Sequence, residues 1–321
     1  MLQNLPSEGR QSQDSIPLVS VIIPTYNVEP YIGQAIASVL EQTIQSFEII
    51  VVDDGSTDDT VKIVCGIDDP RVRLFRNAQN QGVAQARNIA IRQSKGTWIA
   101  ILDSDDWWAP NRLERLLAAA QRYDAAVICD DLQLVNDGER QPFATFLTSR
   151  VKVFGAITKA TIVTPEAMIK NDFGYLKPIV RRDVFSGEAL LYDRNARISE
   201  DFKWLVECLC VGHRLVLLPE PYYYYRRRSD SLSSPDNLEK EIRGIGDHIR
   251  LCEELMTRYG DRRPIKQALK LHIYAKKIDL VERVVKRNWG SQRYMKAIFV
   301  IAIKPGVLRP LLRNVKNRLF A

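Results

Sequence analysis

The chain has 321 residues, 45% hydrophobic and 26% charged, enough for a sizeable core in one large domain or in a domain with an appendage. No apolar run approaches the ~18–20 residues that a membrane-spanning helix requires; the longest candidate is only Ala297 to Ile303. The net charge of +7 hides an asymmetry, because residues 236–321 carry 20 Lys and Arg against nine Asp and Glu, and such a basic tail points to an anionic partner, either a membrane surface or nucleic acid.

Residues 1–17 are polar, lack the apolar centre of a signal peptide and are expected to form a disordered lead. Val19 to Pro24 reads as a buried strand. Tyr31 to Gln42 has helical apolar spacing through Ile32, Ala35, Ile36, Val39 and Leu40. Phe47 to Val52 is a second buried strand, and Thr57 with Asp58 and Asp59 is expected to cap a helix. Val72 to Phe75 is a third strand, and Gly82 to Ser94 a helix. Trp98 to Leu102 is a fourth strand, Leu113 to Tyr123 a helix, and Ala126 to Cys129 a fifth strand. The alternation predicts an α/β doubly wound, mostly parallel sheet flanked by helices, with a site in the loops at the carboxyl ends of the strands. Asp130 to Arg197 reads as irregular. The Ser-rich stretch Ser229 to Pro235 marks a boundary, which divides the chain into a domain at 18–235 and a basic region at 236–321. Asp236 to Arg258 and Pro264 to Arg287 read as helices.

The five cysteines are odd in number and follow no disulfide spacing, as in a reducing compartment, so a cytoplasmic location is expected. Cys208 and Cys210 are two apart in a helical pattern and point to different faces, which argues against a zinc pair. The three histidines, His213, His248 and His272, are widely separated in sequence and offer little material for a His-based metal site.

Five polar clusters stand out. Leu102-Asp103-Ser104-Asp105-Asp106 ends a buried strand in three acids that repel one another. Either it is a solvated turn, or a hard divalent cation such as Mg²⁺ or Mn²⁺ relieves the repulsion and binds a diphosphate. Asp53-Asp54-Gly55-Ser56 is either a capped turn or a fixed acceptor for a nucleobase N–H. Asn80-Gln81-Gly82 leads into Ala86-Arg87-Asn88, where Arg87 is either a surface cation or aimed at a nucleotide. Ser199-Glu200-Asp201 heads a helix, where the acids either cap it or supply a general base. Tyr222 to Arg228 mixes aromatics with cations, as in sheet packing, nucleic-acid contact or stabilisation of a departing diphosphate.

Together with Val21-Ile22-Ile23-Pro24-Thr25-Tyr26-Asn27, these words in this order resemble the family 2 glycosyltransferases of the GT-A fold, over roughly residues 18–235. The resemblance is to bacterial exopolysaccharide enzymes of the succinoglycan type. It implies that Pro24, Thr25, Tyr26, Asn27, Asp53, Asp54, Gly82, Arg87, Asp103 and Ser104 bind the donor nucleotide, with Asp54 on uracil and Asp103 on ribose. It further implies that Asp105, with Asp103, holds Mn²⁺ or Mg²⁺, that Asp106 and Glu200 support the site, and that Asp201 is the catalytic base. Many relatives carry His where this chain has Arg228. A guanidinium has no lone pair for a metal, so Arg228 is expected on the diphosphate. The implied reaction inverts the anomeric centre: a sugar, glucose or a related hexose, passes from a UDP-sugar to a hydroxyl of a polyprenyl-linked or other glycan in surface polysaccharide synthesis.

Lys177-Pro178-Ile179 and Tyr175 are expected on the acceptor side. The basic tail, including Tyr294 to Phe320, either caps the catalytic domain or attaches it peripherally to the anionic inner face of the cell membrane. Two rival readings fit less well. A nucleic-acid-binding protein acting through the tail would set Asp103, Asp105, Asp106 and Asp201 against phosphate, so no nucleic-acid partner is expected. A sugar nucleotidyltransferase would place a Gly-rich basic loop where Pro24-Thr25-Tyr26-Asn27 stand.

Overall fold

Six strands of one sheet run in the same direction, and a seventh, inserted among them, runs against them. In the computed structural model, which describes residues 16–188, 190–196, 198–228 and 238–290, the elements in chain order are β1 (Val19–Thr25), α1 (Ile32–Leu40), β2 (Phe47–Asp53), α2 (Thr60–Cys65), β3 (Val72–Arg76), α3 (Val83–Gln93), β4 (Trp98–Ile101), β5 (Trp107–Trp108), α4 (Arg112–Tyr123) and β6 (Val127–Asn136). There follow β7 (Ala144–Thr145), α5 (Phe146–Ser149), α6 (Val151–Phe154), β8 (Thr161–Val163), α7 (Pro165–Asn171), β9 (Ile179–Arg181), α8 (Glu200–Cys210), β10 (Leu215–Arg227), α9 (Leu238–Tyr259) and α10 (Arg263–Gly290). The sheet order is β3-β2-β1-β4-β9-β6-β10-β5. β1 pairs in parallel with β2 and β4, β2 with β3, and β6 with β10. β9 is antiparallel to both β4 and β6.

The strands nearest the centre read as continuous apolar runs because both their faces are covered. β1 and β2 are buried along their whole length. The expected α/β architecture, a mostly parallel sheet flanked by helices with a helical C-terminal region, is the one observed. The antiparallel insertion of β9 was not anticipated. It places Lys177, two residues before the strand, beside the carboxyl end of β4, where Ile101 N–H donates to Pro178 O at 3.3 Å.

Two other expectations are corrected. Thr57 does not cap a helix: its N–H donates to Asn27 Oδ1 at 2.8 Å, and α2 starts only at Thr60. The stretch Asp130 to Arg197 is not irregular. Its pieces are two to seven residues long from β7 to β9, too short to show a period. The expected strand at Ala126–Cys129 continues as β6 to Asn136. Its apolar pattern is broken by two buried acids that the fold satisfies: Asp130 accepts from Arg112, and Asp131 from Leu132 N–H and Leu147 N–H.

α9 and α10 pack on each other and on α8 and α7 respectively. Ile249, Leu255, Tyr259, Ile265, Leu269 and Ile273 are buried there. No helix among the described residues is long and apolar enough to cross a membrane. Residues 1–15, the boundary stretch 229–235 and the segment Tyr294 to Phe320 lie outside the described residues.

Candidate active site

The loops after β1 and β2 are tied together by side chains. Asn27, in the left-handed region at φ 49°, takes Thr57 N–H on its Oδ1, and its own N–H donates to Ser56 Oγ at 3.0 Å. Pro24 and Thr25 lie buried at the end of β1, whereas Tyr26 and Asn27 are exposed beyond it. Asp53 is buried and accepts from Ser56 N–H and from Arg76 Nε at 3.4 Å. Asp54, also buried, accepts from Asn77 Nδ2 at 2.7 Å, Gln81 N–H at 3.0 Å and Gly82 N–H at 2.7 Å. Asp54 therefore holds the loop that launches α3. Gly82 sits at φ 93° immediately before that helix, a conformation a side chain would strain.

The acid triplet divides by environment. Asp106 is buried and fully used: its carboxylate accepts from the Tyr223 hydroxyl at 2.7 Å and from Arg226 N–H at 2.8 Å. The Tyr223 hydroxyl in turn accepts from Asp103 N–H at 3.1 Å. Arg226 Nε donates to Asp105 O at 2.8 Å, and its guanidinium stacks on Tyr31 and Trp107. These bonds fix the acidic turn against β10. Asp103 and Asp105 keep partly exposed carboxylates. Asp105 lies 3.2 Å from Arg228 Nε, and Ser104 is buried between the two acids.

Asp103 leads from this turn into an ion-pair cluster that joins four parts of the chain. Arg87, on α3 and 1% exposed, reaches Asp103 at 2.8 Å, Glu200 at 2.9 Å and Asp201 at 2.6 Å. Lys177 Nζ bridges Asp103 at 2.7 Å and Asp201 at 2.6 Å. Arg87 also stacks on buried Tyr192, 5.1 Å from the ring. Lys177 is anchored through its carbonyl, which accepts from Arg112 Nη2 at 2.7 Å.

Burial sets the electrostatics here, and the neighbours decide its sign. Burial opposes ionisation of Asp103, but Lys177 and Arg87 overcome it and hold the carboxyl below its usual range. Asp105 has less help: burial and then the charge of Asp103 push it up, only partly offset by Arg228. Burial, then Asp105 and Asp103, push Asp106 well up. Burial and then Asp201 raise Glu200. Two partly exposed carboxylates that repel across the turn, supplied by hard oxygen donors, fit a divalent cation of the Mg²⁺ or Mn²⁺ kind.

The structure thus brings Arg87, Asp103, Glu200 and Asp201 into one cluster, with Asp105, Asp106 and Arg228 next to it. Sequence reasoning placed Lys177 on the acceptor side and missed its bridge between the acids. The signal available was a lone Lys before Pro178 ahead of an apolar pair. Tyr223 and Tyr192 were missed as well, because a buried Tyr looks like core until its hydroxyl or ring finds a partner. Tyr175 is exposed and packs on Phe146.

The chain is similar to known proteins in sequence and in fold. The family described as Glycosyl transferase family 2 matches residues 20–169. The succinoglycan biosynthesis protein ExoO of Rhizobium meliloti is 35% identical over 250 residues, covering 77% of this chain and 70% of that one. The chain belongs to the family 2 glycosyltransferases. Another relative is the UDP-Glc:alpha-D-GlcNAc-diphosphoundecaprenol beta-1,3-glucosyltransferase WfgD of Escherichia coli, 38% identical over 120 residues, 37% of this chain and 47% of the relative. Among solved structures, the mannosyltransferase PcManGT of Pyrobaculum calidifontis in complex with GDP-Man and Mn²⁺ superposes with a TM-score of 0.61 at 18% identity, covering 95% of this chain and 81% of that one. That likeness carries the GT-A fold.

Proposed function

We propose that this glycosyltransferase moves a hexose, glucose or a close relative, from a UDP-sugar to a hydroxyl of a polyprenyl-linked glycan, with inversion and with the help of Mn²⁺ or Mg²⁺. The observation that carries the reading is the cluster in which Arg87 and Lys177 hold Asp201 against Asp103, two residues before Asp105 in the acidic turn. The names of ExoO and WfgD support the glycan context, the UDP-sugar donor and the lipid-linked acceptor.

On this reading the uridine lies across Pro24, Thr25, Tyr26 and Asn27, with Asp53, Asp54, Gly82 and Arg87 shaping the base pocket. Asp54 acts there through the loop 77–82 that it holds. Asp103 and Ser104 meet the ribose, and Asp105 and Asp103 hold the cation. A bound cation supplies charge neutralisation for the leaving diphosphate. Arg228, over the Tyr31 ring, adds a fixed positive charge where negative charge develops. Asp106 and Glu200 support these groups. Asp201 takes the proton of the acceptor hydroxyl as that oxygen attacks the anomeric carbon from the face opposite the leaving group. One base suffices because the leaving group is already activated. Two bonds position that base, one to Arg87 and one to Lys177.

A screen of sugar nucleotides with Mn²⁺, read as released UDP, tests the donor. Release of UDP from a hexose donor, and a product of inverted configuration by NMR, are expected; release from GDP-sugars alone would overturn the donor assignment. The basic charge of residues 236–321 supports peripheral attachment at the cytoplasmic face of the membrane. Sedimentation with anionic vesicles that weakens as salt rises is the expected result, and the reading fails if the protein stays in the supernatant at low salt.

A further inference from the structure

We propose a second metal site, for zinc, behind the catalytic helix, formed by His248, Cys252 and His272. His248 and Cys252 stand one turn apart on α9, and His272 faces them from α10; all three are buried. One ligand atom from each lies within 4.8 Å of the others, and the two Nε2 atoms are 2.8 Å apart. Widely spaced in sequence, the two histidines meet because α9 and α10 fold back on one another.

The surroundings suit a soft, borderline cation. Ile249, Leu255, Leu269 and Ile273 are buried along the seam between α9 and α10, which limits the access of water to the three side chains. Thiolate with imidazole selects zinc over the oxygen-loving ions of the acidic turn. His248 Nδ1 lies 2.8 Å from Ser199 Oγ. Donation from that nitrogen to the hydroxyl would leave Nε2 to ligate, the outer hydrogen bond typical of a metal-bound His. Three protein ligands leave the fourth position to water.

Tetrahedral zinc at bond lengths of about 2.0–2.3 Å sets its ligands about 3.3–3.8 Å apart. The imidazoles therefore separate by about half an ångström on binding. The Cys252 thiol loses its proton to solvent as the Zn–S bond forms, His272 moves its own proton from Nε2 to Nδ1, and nothing is oxidised or reduced. The ion would tie α9 and α10 to Ser199, the residue before Glu200 and Asp201.

The test uses the full chain carrying no polyhistidine tag, with Co²⁺ as spectroscopic probe and Zn²⁺ as competitor. One equivalent of Co²⁺ with a thiolate-to-cobalt charge-transfer band, displaced by Zn²⁺, is expected. Cys252→Ser should lose the band, and His272→Asn should weaken uptake at least about tenfold, with both variants folded by circular dichroism. Cys65→Ser and Asp105→Ala should keep the band, which separates this site from the exposed thiol and from the acidic turn. Failure of the folded wild type to take up either ion at micromolar concentration, or a band that survives Cys252→Ser, would overturn the proposal. Should one variant fail to fold, the other together with the wild-type titration decides.

Discussion

Lys177 Nζ sits 2.6 Å from Asp201 Oδ2, and the same ammonium is 2.7 Å from Asp103 Oδ2. One buried cation thus joins the proposed base to the first acid of the turn after β4. Asp103, in the turn after β4, and Asp201, on α8, are far apart in sequence, so their separation depends on a third element. That element is β9, whose antiparallel insertion beside β4 delivers Lys177.

Removing this cation leaves two carboxylates with only Arg87 between them. Breaking one partner out of a buried charge cluster costs about 3–5 kcal/mol. Lys177→Met should lower stability by that order in urea denaturation and reduce transfer by more than it weakens UDP binding. Lys177→Arg should recover most of the stability. A methionine variant as stable and as active as wild type would show that the bridge does not matter.

Asp201→Asn keeps the shape and one acceptor oxygen for Arg87 or Lys177 but removes the proton acceptor. General-base loss costs roughly 10²–10⁴-fold in rate. Calorimetry should show UDP affinity close to wild type, while transfer to acceptor falls by that factor. Transfer at the wild-type rate would exclude Asp201 as the base.

Much of this arrangement was legible beforehand. The apolar runs of β1, β2 and β4 announced a parallel sheet because strands covered on both faces need no polar alternation. The three acids after β4 marked the turn as a place where charge is concentrated, because carboxylates so close are costly alone. Lys177 and Tyr223 gave no such warning. The sequence set Lys177 on the acceptor side and Tyr223 in a run of aromatics and cations, and each acquires its contacts with the acids only when β9 and β10 carry it to the end of β4. Buried acids such as Asp130 and Asp131 also hid the length of β6, since their partners Arg112 and Leu147 come from elsewhere in the chain. The His248–His272 contact was invisible for the same reason: sequence separation says nothing about helices that return alongside one another.

Asp105 carries a cost that a cation would remove. Its carboxyl is pushed up by burial and then by Asp103, so its charged form destabilises the protein in the absence of metal. Asp105→Ala should therefore hold or raise the melting temperature without metal, and should abolish the Mn²⁺-dependent part of UDP affinity. Calorimetry with and without Mn²⁺ reads the second effect. Undiminished Mn²⁺-dependent affinity in the variant would remove Asp105 from the metal site.

Gly174 links core packing to the base. A Cβ at this position would lie 2.6 Å from Phe202 Cβ, inside any normal contact, and Phe202 follows Asp201 on α8. Phe202 cannot retreat freely, because its ring is stacked on His272 at 5.4 Å and against His248 at 4.8 Å. Gly174→Ala must push Phe202, and with it the start of α8, away from residue 174 and so strain the bonds from Asp201 to Arg87 and Lys177. Overpacking of this kind costs about 1–3 kcal/mol. A melting temperature lowered by several degrees, with kcat reduced more than KM is raised, is expected from thermal denaturation and steady-state kinetics. A fully active variant with unchanged melting would mean that α8 tolerates displacement and that the position of Asp201 is not set by this contact.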